Sequence, residues 1–223
     1  MEPFYQSELK DIRNKLTMMG EKCIEVVRIS MQSVENNDTE LATKVRKMDD
    51  AIDELEVTID NDCVRYLTLR SPVASDVRFL ILAMRACHDF ERIGDEATTI
   101  AKRVLHLNKR FPSTDHHHIL KIDKLVLEQL DAAMHSFIHN DTKEALAVPK
   151  KDREIDRLNK ENYKYFLQKA GEPDLEVNTY FDFIFISKAL ERIGDHATNI
   201  AEEVVYYIEG EDIRHTDIAK RAE

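Results

Sequence analysis

Apolar residues recur along this chain at alternating spacings of three and four positions, the pattern of a helix with one buried face. Within residues 41–66 the apolar positions are Leu41, Val45, Met48, Ile52, Leu55, Ile59 and Tyr66. Residues 12–34 repeat the pattern, with one serine on the stripe, at Ile12, Leu16, Met19, Cys23, Val26, Ser30 and Val34. The pattern predicts long helices that each turn one stripe toward the interior of a bundle.

Turn-forming residues interrupt this periodicity at residues 36–38, 71–72, 111–115, 140–141 and 171–174. The breaks leave six segments of about 25 to 35 residues, which is ~40 to 50 Å of helix. Because the connections are short, we expect sequential helices to be antiparallel neighbours. The chain has only five glycines and five prolines, which disfavours a sheet-rich fold with many tight turns. The predicted fold class is all-α, with six long helices.

The second half of the chain repeats the first. Residues 91–104 match residues 191–204 at ten of fourteen positions, with an offset of 100. Upstream, residues 37–39 match residues 140–142 at an offset of 103, as do four positions of residues 49–55. Two copies of a three-helix unit explain this best. We predict two pseudo-symmetric three-helix bundles, residues 1–111 and residues 115–223, the second with a short C-terminal tail.

Charge and composition narrow the function classes. The 43 acidic and 32 basic residues give a formal net charge of -11. This excess of negative charge, without a clustered basic face, disfavours nucleic acid as the main partner. No apolar run approaches the ~20 residues of a membrane-spanning helix, and residues 1–8 show no basic stretch followed by an apolar one. We therefore expect a cytosolic protein.

Each half carries two acidic pairs whose members are spaced four residues apart and so share a helix face. The pairs are Asp49 with Asp53, Glu91 with Asp95, Asp152 with Asp156, and Glu191 with Asp195. Like charges at this spacing destabilise a helix, by about 0.2–0.5 kcal/mol for each pair, and a bound cation would compensate for them. If the two helices of a half lie side by side, four carboxylates converge on one point. Oxygen-only ligation suits iron, manganese, magnesium or calcium.

Two readings of these acids stay open on the residues alone. They are metal ligands, or they form a solvated helix face balanced by nearby arginines and lysines such as Arg92 and Arg192. Gly94 and Gly194 lie inside the acidic motifs, where a missing side chain lets a neighbouring helix approach closely. Tight packing without any site would explain the glycines equally well.

Support for catalysis is weak. Carboxylate-bridged di-iron enzymes carry ExxH motifs, and no glutamate here is followed by histidine three residues later. His88 lies three residues before Glu91, but its counterpart Lys188 does not ligate metal at neutral pH. His196 follows Asp195 directly and points ~100° away from it around the helix. We predict a protein that is not an enzyme.

Other reactive side chains fit structural roles. The three cysteines form no CxxC pair and sit at apolar-periodic positions, so we interpret Cys23, Cys63 and Cys87 as buried reduced thiols. Residues 116–118 are three consecutive histidines, which we interpret as an exposed polar turn, with a transition-metal site as the alternative. Pro149 lies inside the predicted fifth helix, where it would kink the helix or start a fresh helical segment and could displace the Asp pair of the second half.

The order and spacing of several motifs over nearly the whole chain resemble the PhoU family of phosphate-transport regulatory proteins, which are found beside phosphate-specific ABC transporters. The motifs are residues 12–20, the turn at residues 37–39, the Asp49/Asp53 pair, Ser71 to Arg78, both ERIGD helices, and residues 210–215. Together they are far more specific than any one of them.

The resemblance implies paired three-helix bundles that form a homodimer, with multinuclear iron clusters on the paired E(D)xxxD motifs. Zinc, manganese, magnesium or calcium are alternative occupants. The ligands carried over are the eight acids named above. It also implies a cytosolic negative regulator of the phosphate-starvation response and of phosphate uptake. Its partners would be the transporter ATPase and a membrane sensor histidine kinase of the PhoR type, with only peripheral contact to the membrane.

Two alternatives belong to other functional classes. A carboxylate-bridged metalloenzyme or metal store would show metal-dependent turnover or would oxidise bound iron. A structural interaction bundle with vacant acidic faces would become more stable when its eight carboxylates are neutralised. The sequence shows no glycine-rich phosphate cradle, and its negative charge opposes direct anion capture unless bound cations reverse the local potential.

Overall fold

The computed structural model describes residues 4–107, 113–172 and 177–214. In these ranges the chain forms six α-helices and no strand, which confirms the all-α prediction. The helices are α1 (Phe4–Asn36), α2 (Thr39–Leu69), α3 (Ala74–His106), α4 (Ser113–His139), α5 (Thr142–Ala170) and α6 (Val177–Glu209).

The first turn of each half is built in the same way. Asn37 and Asn140 adopt the left-handed conformation, with φ of 50° and 52°, a conformation that asparagine tolerates better than most residues. Asp38 and Asp141 then cap α2 and α5, because each side chain accepts hydrogen bonds from two backbone N–H groups of the first helical turn. The matching sequence at residues 37–39 and 140–142 therefore encodes matching turns.

The helices pack as two three-helix bundles that share one hydrophobic core. Helices α1, α2 and α3 contact one another, as do α4, α5 and α6, while α3 against α6 and α1 against α4 join the bundles. All seven positions of the α1 stripe are buried, which confirms the predicted burial of that face. The tandem architecture is thus confirmed, and each of the two innermost helices, α3 and α6, carries one copy of the repeated motif.

One local prediction is wrong, and one of the two alternatives predicted at Pro149 is excluded. The histidine run at residues 116–118 lies inside α4 rather than in a turn, and His118 stacks on Tyr165 with ring centroids 4.1 Å apart. Helix α5 passes through Pro149 without starting a fresh segment. Val148 and Ile155 are buried on one face across this proline, and that packing outweighs the missing backbone donor. Residues 108–112, which include part of the predicted inter-repeat turn, lie outside the described residues.

The segment after α6 folds back onto the helices. Gly210 ends α6 with φ of 74°, a conformation that favours glycine. Ile213 is buried, and Arg214 lies 3.5 Å from the buried Glu203 carboxylate. The 210–214 part of the predicted C-terminal motif therefore covers the core and pairs a buried charge.

Two further sequence predictions concern buried thiols and membrane segments. The three cysteines are free and buried, as predicted. Among the described residues, no helix has both the length and the apolar composition required to span a bilayer.

Candidate metal centre

The first acidic cluster comprises Asp49 and Asp53 of α2 and Glu91 and Asp95 of α3, helices that pack side by side. Burial raises the pKa of Asp49 to about 6, and the negative charges of Asp53 and Asp95 add to the increase. Thr98 opposes it by donating a hydrogen bond to Asp49 Oδ2, over 3.0 Å. The raised pKa means that the ionised form of Asp49 is disfavoured, first by its removal from water and then by the neighbouring negative charges.

The pKa values of Asp53 and Glu91 in this cluster are raised as well. Burial raises the pKa of Asp53, and the charge of Asp95 raises it further. Burial also raises the pKa of Glu91, again with Asp95 as the next cause. Asp95 of α3 therefore lies near Asp49 and Asp53 of α2, whereas the α2 carboxylate that acts on Glu91 is Glu56. That all four acids of the first half bind one metal stays a prediction.

Two oxygens of the first cluster are buried without a hydrogen bond in the described structure, Asp49 Oδ1 and Glu91 Oε2. Gly94 makes room for the first of them, since a Cβ at that position would lie 2.3 Å from Asp49 Oδ1. Arg92 Nε of α3 lies 3.3 Å from Glu91 Oε2. Buried oxygens that lack donors suit a hard or borderline cation, so this donor set fits a metal ion.

The second acidic cluster comprises Asp152 and Asp156 of α5 and Glu191 and Asp195 of α6. Burial raises the pKa of Asp195 to about 6, with further contributions from the charges of Glu191 and Asp152. Burial also raises the pKa of Asp152, with Asp156 and Glu191 as charged neighbours. The continuous α5 thus keeps its Asp pair beside α6 despite the proline.

Side chains that have no equivalent in the first cluster occupy the second one. Gln129 of α4 donates to Thr198 Oγ1 over 2.8 Å and to Asp152 Oδ1 over 3.4 Å. A Cβ on Gly194 would lie 3.0 Å from Gln129 Oε1, so this glycine makes room for an amide rather than for a carboxylate. Lys188 Nζ forms a very short contact with Glu191 Oε2, which places an ammonium group beside the carboxylates.

Two residues near the first cluster are absent from the predicted ligands: Glu56 was missed, and His88 was set aside because Lys188 is its counterpart in the second half. Glu56 of α2 and His88 of α3, together with Glu91, place one ligand atom each within 4.8 Å of one another. The signal was present in the spacing, because Glu56 follows Asp53 by three residues and His88 precedes Glu91 by three. His196, by contrast, faces away from the second cluster and pairs with Asp89 of α3, where Nδ1 and Oδ1 are 2.8 Å apart.

The sequence and the fold are similar to those of known proteins. The PhoU domain family matches residues 16–104 and again residues 119–204. The phosphate-specific transport system accessory protein PhoU homolog of Pseudomonas aeruginosa is 36% identical over 224 residues, covering 98% of this chain and 91% of that protein. The protein of the same name from Clostridium acetobutylicum is 30% identical, covering 96% of this chain and 98% of its own length.

Two solved structures are also similar to this chain. The crystal structure of PhoU from Pseudomonas aeruginosa superimposes with a TM-score of 0.86 at 34% identity, covering 93% of this chain and 100% of that one. The phosphate transport system regulatory protein PhoU from Streptococcus pneumoniae gives a TM-score of 0.85 at 28% identity, with 93% and 98% covered. The chain, with its two matched repeats, belongs to the PhoU family.

Proposed function

We propose that this chain is an accessory and regulatory protein of a phosphate-specific transport system and that it carries out no catalysis itself. One observation carries the proposal: proteins named for that role align with almost its entire length, and both repeats match the family. The exposed surfaces of its long helices offer contact area for partner proteins.

The finer proposal is that the protein couples a phosphate-specific ABC transporter to a sensor histidine kinase at the cytoplasmic side of the membrane. In phosphate-rich conditions it would restrain the phosphate-starvation response and phosphate uptake. Its direct partners would be the transporter ATPase and the kinase, and it would act as a homodimer composed of two-bundle chains, with bundles over residues 1–111 and 115–223. The resemblance of the whole chain to the family supports each of these points.

We further propose that metal ions, with multinuclear iron as the first expectation, bind at the eight carboxylates of the two acidic clusters. The buried oxygens of Asp49 and Glu91 that lack hydrogen bonds support the first cluster most strongly. When bound, a cation would supply positive charge to an acidic face. In the second cluster, Lys188 and Gln129 already supply part of that compensation.

The regulatory role is tested by deleting the gene. We expect phosphate-starvation genes to become active in phosphate-rich medium, and plasmid-borne wild-type protein to silence them again. If those genes stay silent after deletion, the proposed role is wrong. Phosphate uptake measured in the same strains reports separately on the transporter.

The metal proposal is tested by elemental analysis of protein purified without metal-affinity steps. Glu91→Gln/Asp95→Asn should hold less metal than the wild type, because two ligands of the first cluster lose their charge. Equal metal content in the two proteins would contradict the proposal. A metal store or carboxylate-bridged enzyme, which the half-buried carboxylates also suit, would in addition oxidise bound Fe²⁺ in the isolated protein.

A further inference from the structure

The first repeat carries a nitrogen ligand at the edge of its acidic cluster. His88 Nδ1 lies 3.2 Å from Glu56 Oε1, and both side chains share a group with Glu91 in which the ligand atoms lie within 4.8 Å of one another. Helix α2 supplies Glu56, whereas α3 supplies His88 and Glu91 one helical turn apart. The site is therefore built across the contact between two long, well-packed helices.

The three side chains differ in exposure, with the two glutamates more buried than the histidine. The side chains of Glu91 and Glu56 are 18% and 24% exposed, and that of His88 is 58% exposed. Glu91 Oε2 is buried and receives no hydrogen bond from the described residues, although Arg92 Nε lies 3.3 Å away. An inner carboxylate oxygen without a hydrogen bond, beside an exposed imidazole, leaves the solvent side open for an ion and its remaining water ligands.

The ligand chemistry differs from that of the carboxylates alone. Oxygen-only sites suit magnesium, calcium and manganese, whereas an imidazole nitrogen shifts the preference toward zinc and other late divalent transition metals. Ligand bonds of about 2.0–2.2 Å place ligand atoms about 3–4 Å apart. The ligand atoms of the observed group lie within 4.8 Å of one another, so side-chain movements of about 1 Å would bring them to that spacing.

The second repeat lacks this arrangement at equivalent positions. Lys188 stands at the position of His88, at the offset of 100, and its ammonium group contacts Glu191, the counterpart of Glu91. Asn159 stands at the position of Glu56, at the offset of 103, and its Oδ1 accepts a hydrogen bond from Ser187 over 2.9 Å. The second repeat therefore has an ammonium group where the first has an imidazole, and this position offers no nitrogen ligand at neutral pH.

We propose that Glu56, His88 and Glu91 form a mixed nitrogen and oxygen site for one divalent transition-metal ion, present in the first repeat only. The site extends the proposed metal function, because it shares Glu91 with the first acidic cluster. It does not need Asp53 or Asp95. The two repeats are accordingly unequal: one binds a late divalent cation and the other carries a lysine in its place.

The test uses the full chain, purified without a metal-affinity tag, stripped of metal and titrated with Zn²⁺. Nuclear magnetic resonance of ¹⁵N-labelled histidine rings shows which ring responds, and calorimetry gives the affinity. The first ring signal to shift should be the one that is missing from the spectrum of His88→Gln. That variant and Glu56→Gln should each bind the first equivalent of Zn²⁺ at least about tenfold more weakly than the wild type. His135→Gln, which removes another exposed histidine, is the matched control and should leave the first event unchanged.

Each outcome bears on the site. If the first ring to shift belongs to any histidine other than His88, or if none shifts, the proposal is wrong and zinc binding is adventitious. Glu56→Asn/His88→Lys rebuilds the second-repeat sequence and should abolish the first event without unfolding the chain, which circular dichroism checks. Asp53→Asn/Asp95→Asn separates the two proposals, since it removes carboxylate-only ligands but should leave the His88 response intact.

Discussion

At the scale of single residues, a missing methyl group decides how closely α3 approaches the Asp49 carboxylate. Alanine at position 94 would put Cβ 2.3 Å from Asp49 Oδ1, so the carboxylate must rotate away and give up its bond from Thr98. Alanine at position 194 meets Gln129 Oε1 at 3.0 Å and Asp152 Oδ1 only at 3.5 Å, and a small shift accommodates it. The matching glycines therefore face different steric demands.

We predict that Gly94→Ala lowers the free energy of unfolding by at least about 1 kcal/mol relative to Gly194→Ala. Overpacking costs about 1–3 kcal/mol, whereas both variants gain up to about 1 kcal/mol of helix propensity, so the comparison isolates the steric term. Urea denaturation of the two proteins measures the difference. Equal stabilities would show that Asp49 moves aside at no cost.

A half-buried carboxylate outside both acidic clusters, that of Asp123, should make stability depend on pH. Asp123 of α4 has an oxygen without a hydrogen bond in the described structure. Burial raises its pKa to about 7, with a further increase from Glu35 and a smaller opposing effect of Arg28. Its pKa in the unfolded chain is about 3.9. Between pH ~4 and pH ~7 the Asp123 carboxyl is protonated in the folded protein and ionised in the unfolded chain. Its contribution to the free energy of unfolding is therefore complete below pH ~4 and is lost as the pH rises to ~7.

We predict that Asp123→Asn flattens the decline in unfolding free energy between pH 5 and pH 7, by up to about 1.4 kcal/mol per pH unit. Asp131→Asn is the control, because Asp131 lies on the same helix, is exposed, and pairs with the same Arg28 at 3.3 Å. Chemical denaturation at several pH values gives the slopes. If the two variants have the same slope, Asp123 titrates normally in the folded protein.

At the scale of helices, the two aspartate caps should contribute alike. Asp38 Oδ1 accepts hydrogen bonds of 2.9 and 3.0 Å, and Asp141 Oδ1 accepts bonds of 2.9 and 3.1 Å. We predict that alanine at either position lowers the free energy of unfolding by about 1 kcal/mol. Asparagine should retain most of the stability, because its side-chain oxygen can accept the same hydrogen bonds. Urea midpoints of the four variants test this. If asparagine is as damaging as alanine, charge rather than the cap bond is responsible.

The helices were predictable from the sequence because local chemistry sets their ends. Asparagine and aspartate turns, together with apolar stripes, located six helices, and residues four apart placed the acid pairs on common faces. What failed or was missed depends on distant contacts. The sequence does not show that Tyr165 packs on His118, that buried side chains hold α5 together across Pro149, or that Gln129 reaches into the second cluster from α4. The repeat looked symmetric in its motifs and is unequal in its surroundings.

At the scale of the whole molecule, a polar seam between α3 and α6 joins the bundles. Arg85 Nη1 lies 2.9 Å from Glu203 Oε1, and only 5% of the Glu203 side chain is exposed. Arg192 meets Glu96 at 2.9 Å further along the same contact. Because the hydrophobic core also continues across this seam, each bundle alone would expose apolar surface and a carboxylate that is buried in the intact chain.

We therefore predict that residues 1–111 and 115–223, made as separate chains, associate as a one-to-one complex, which sedimentation velocity measures. Arg85→Ala should weaken that complex roughly tenfold to a hundredfold, because it removes a partner from a buried carboxylate while Arg214 remains nearby. Arg28→Ala is the matched control. Its pair with Asp131 also joins the bundles, but both side chains are 53% exposed, so its loss should change the affinity little. Fragments that stay folded and separate would mean that the two repeats are independent domains and that the seam is not needed for stability.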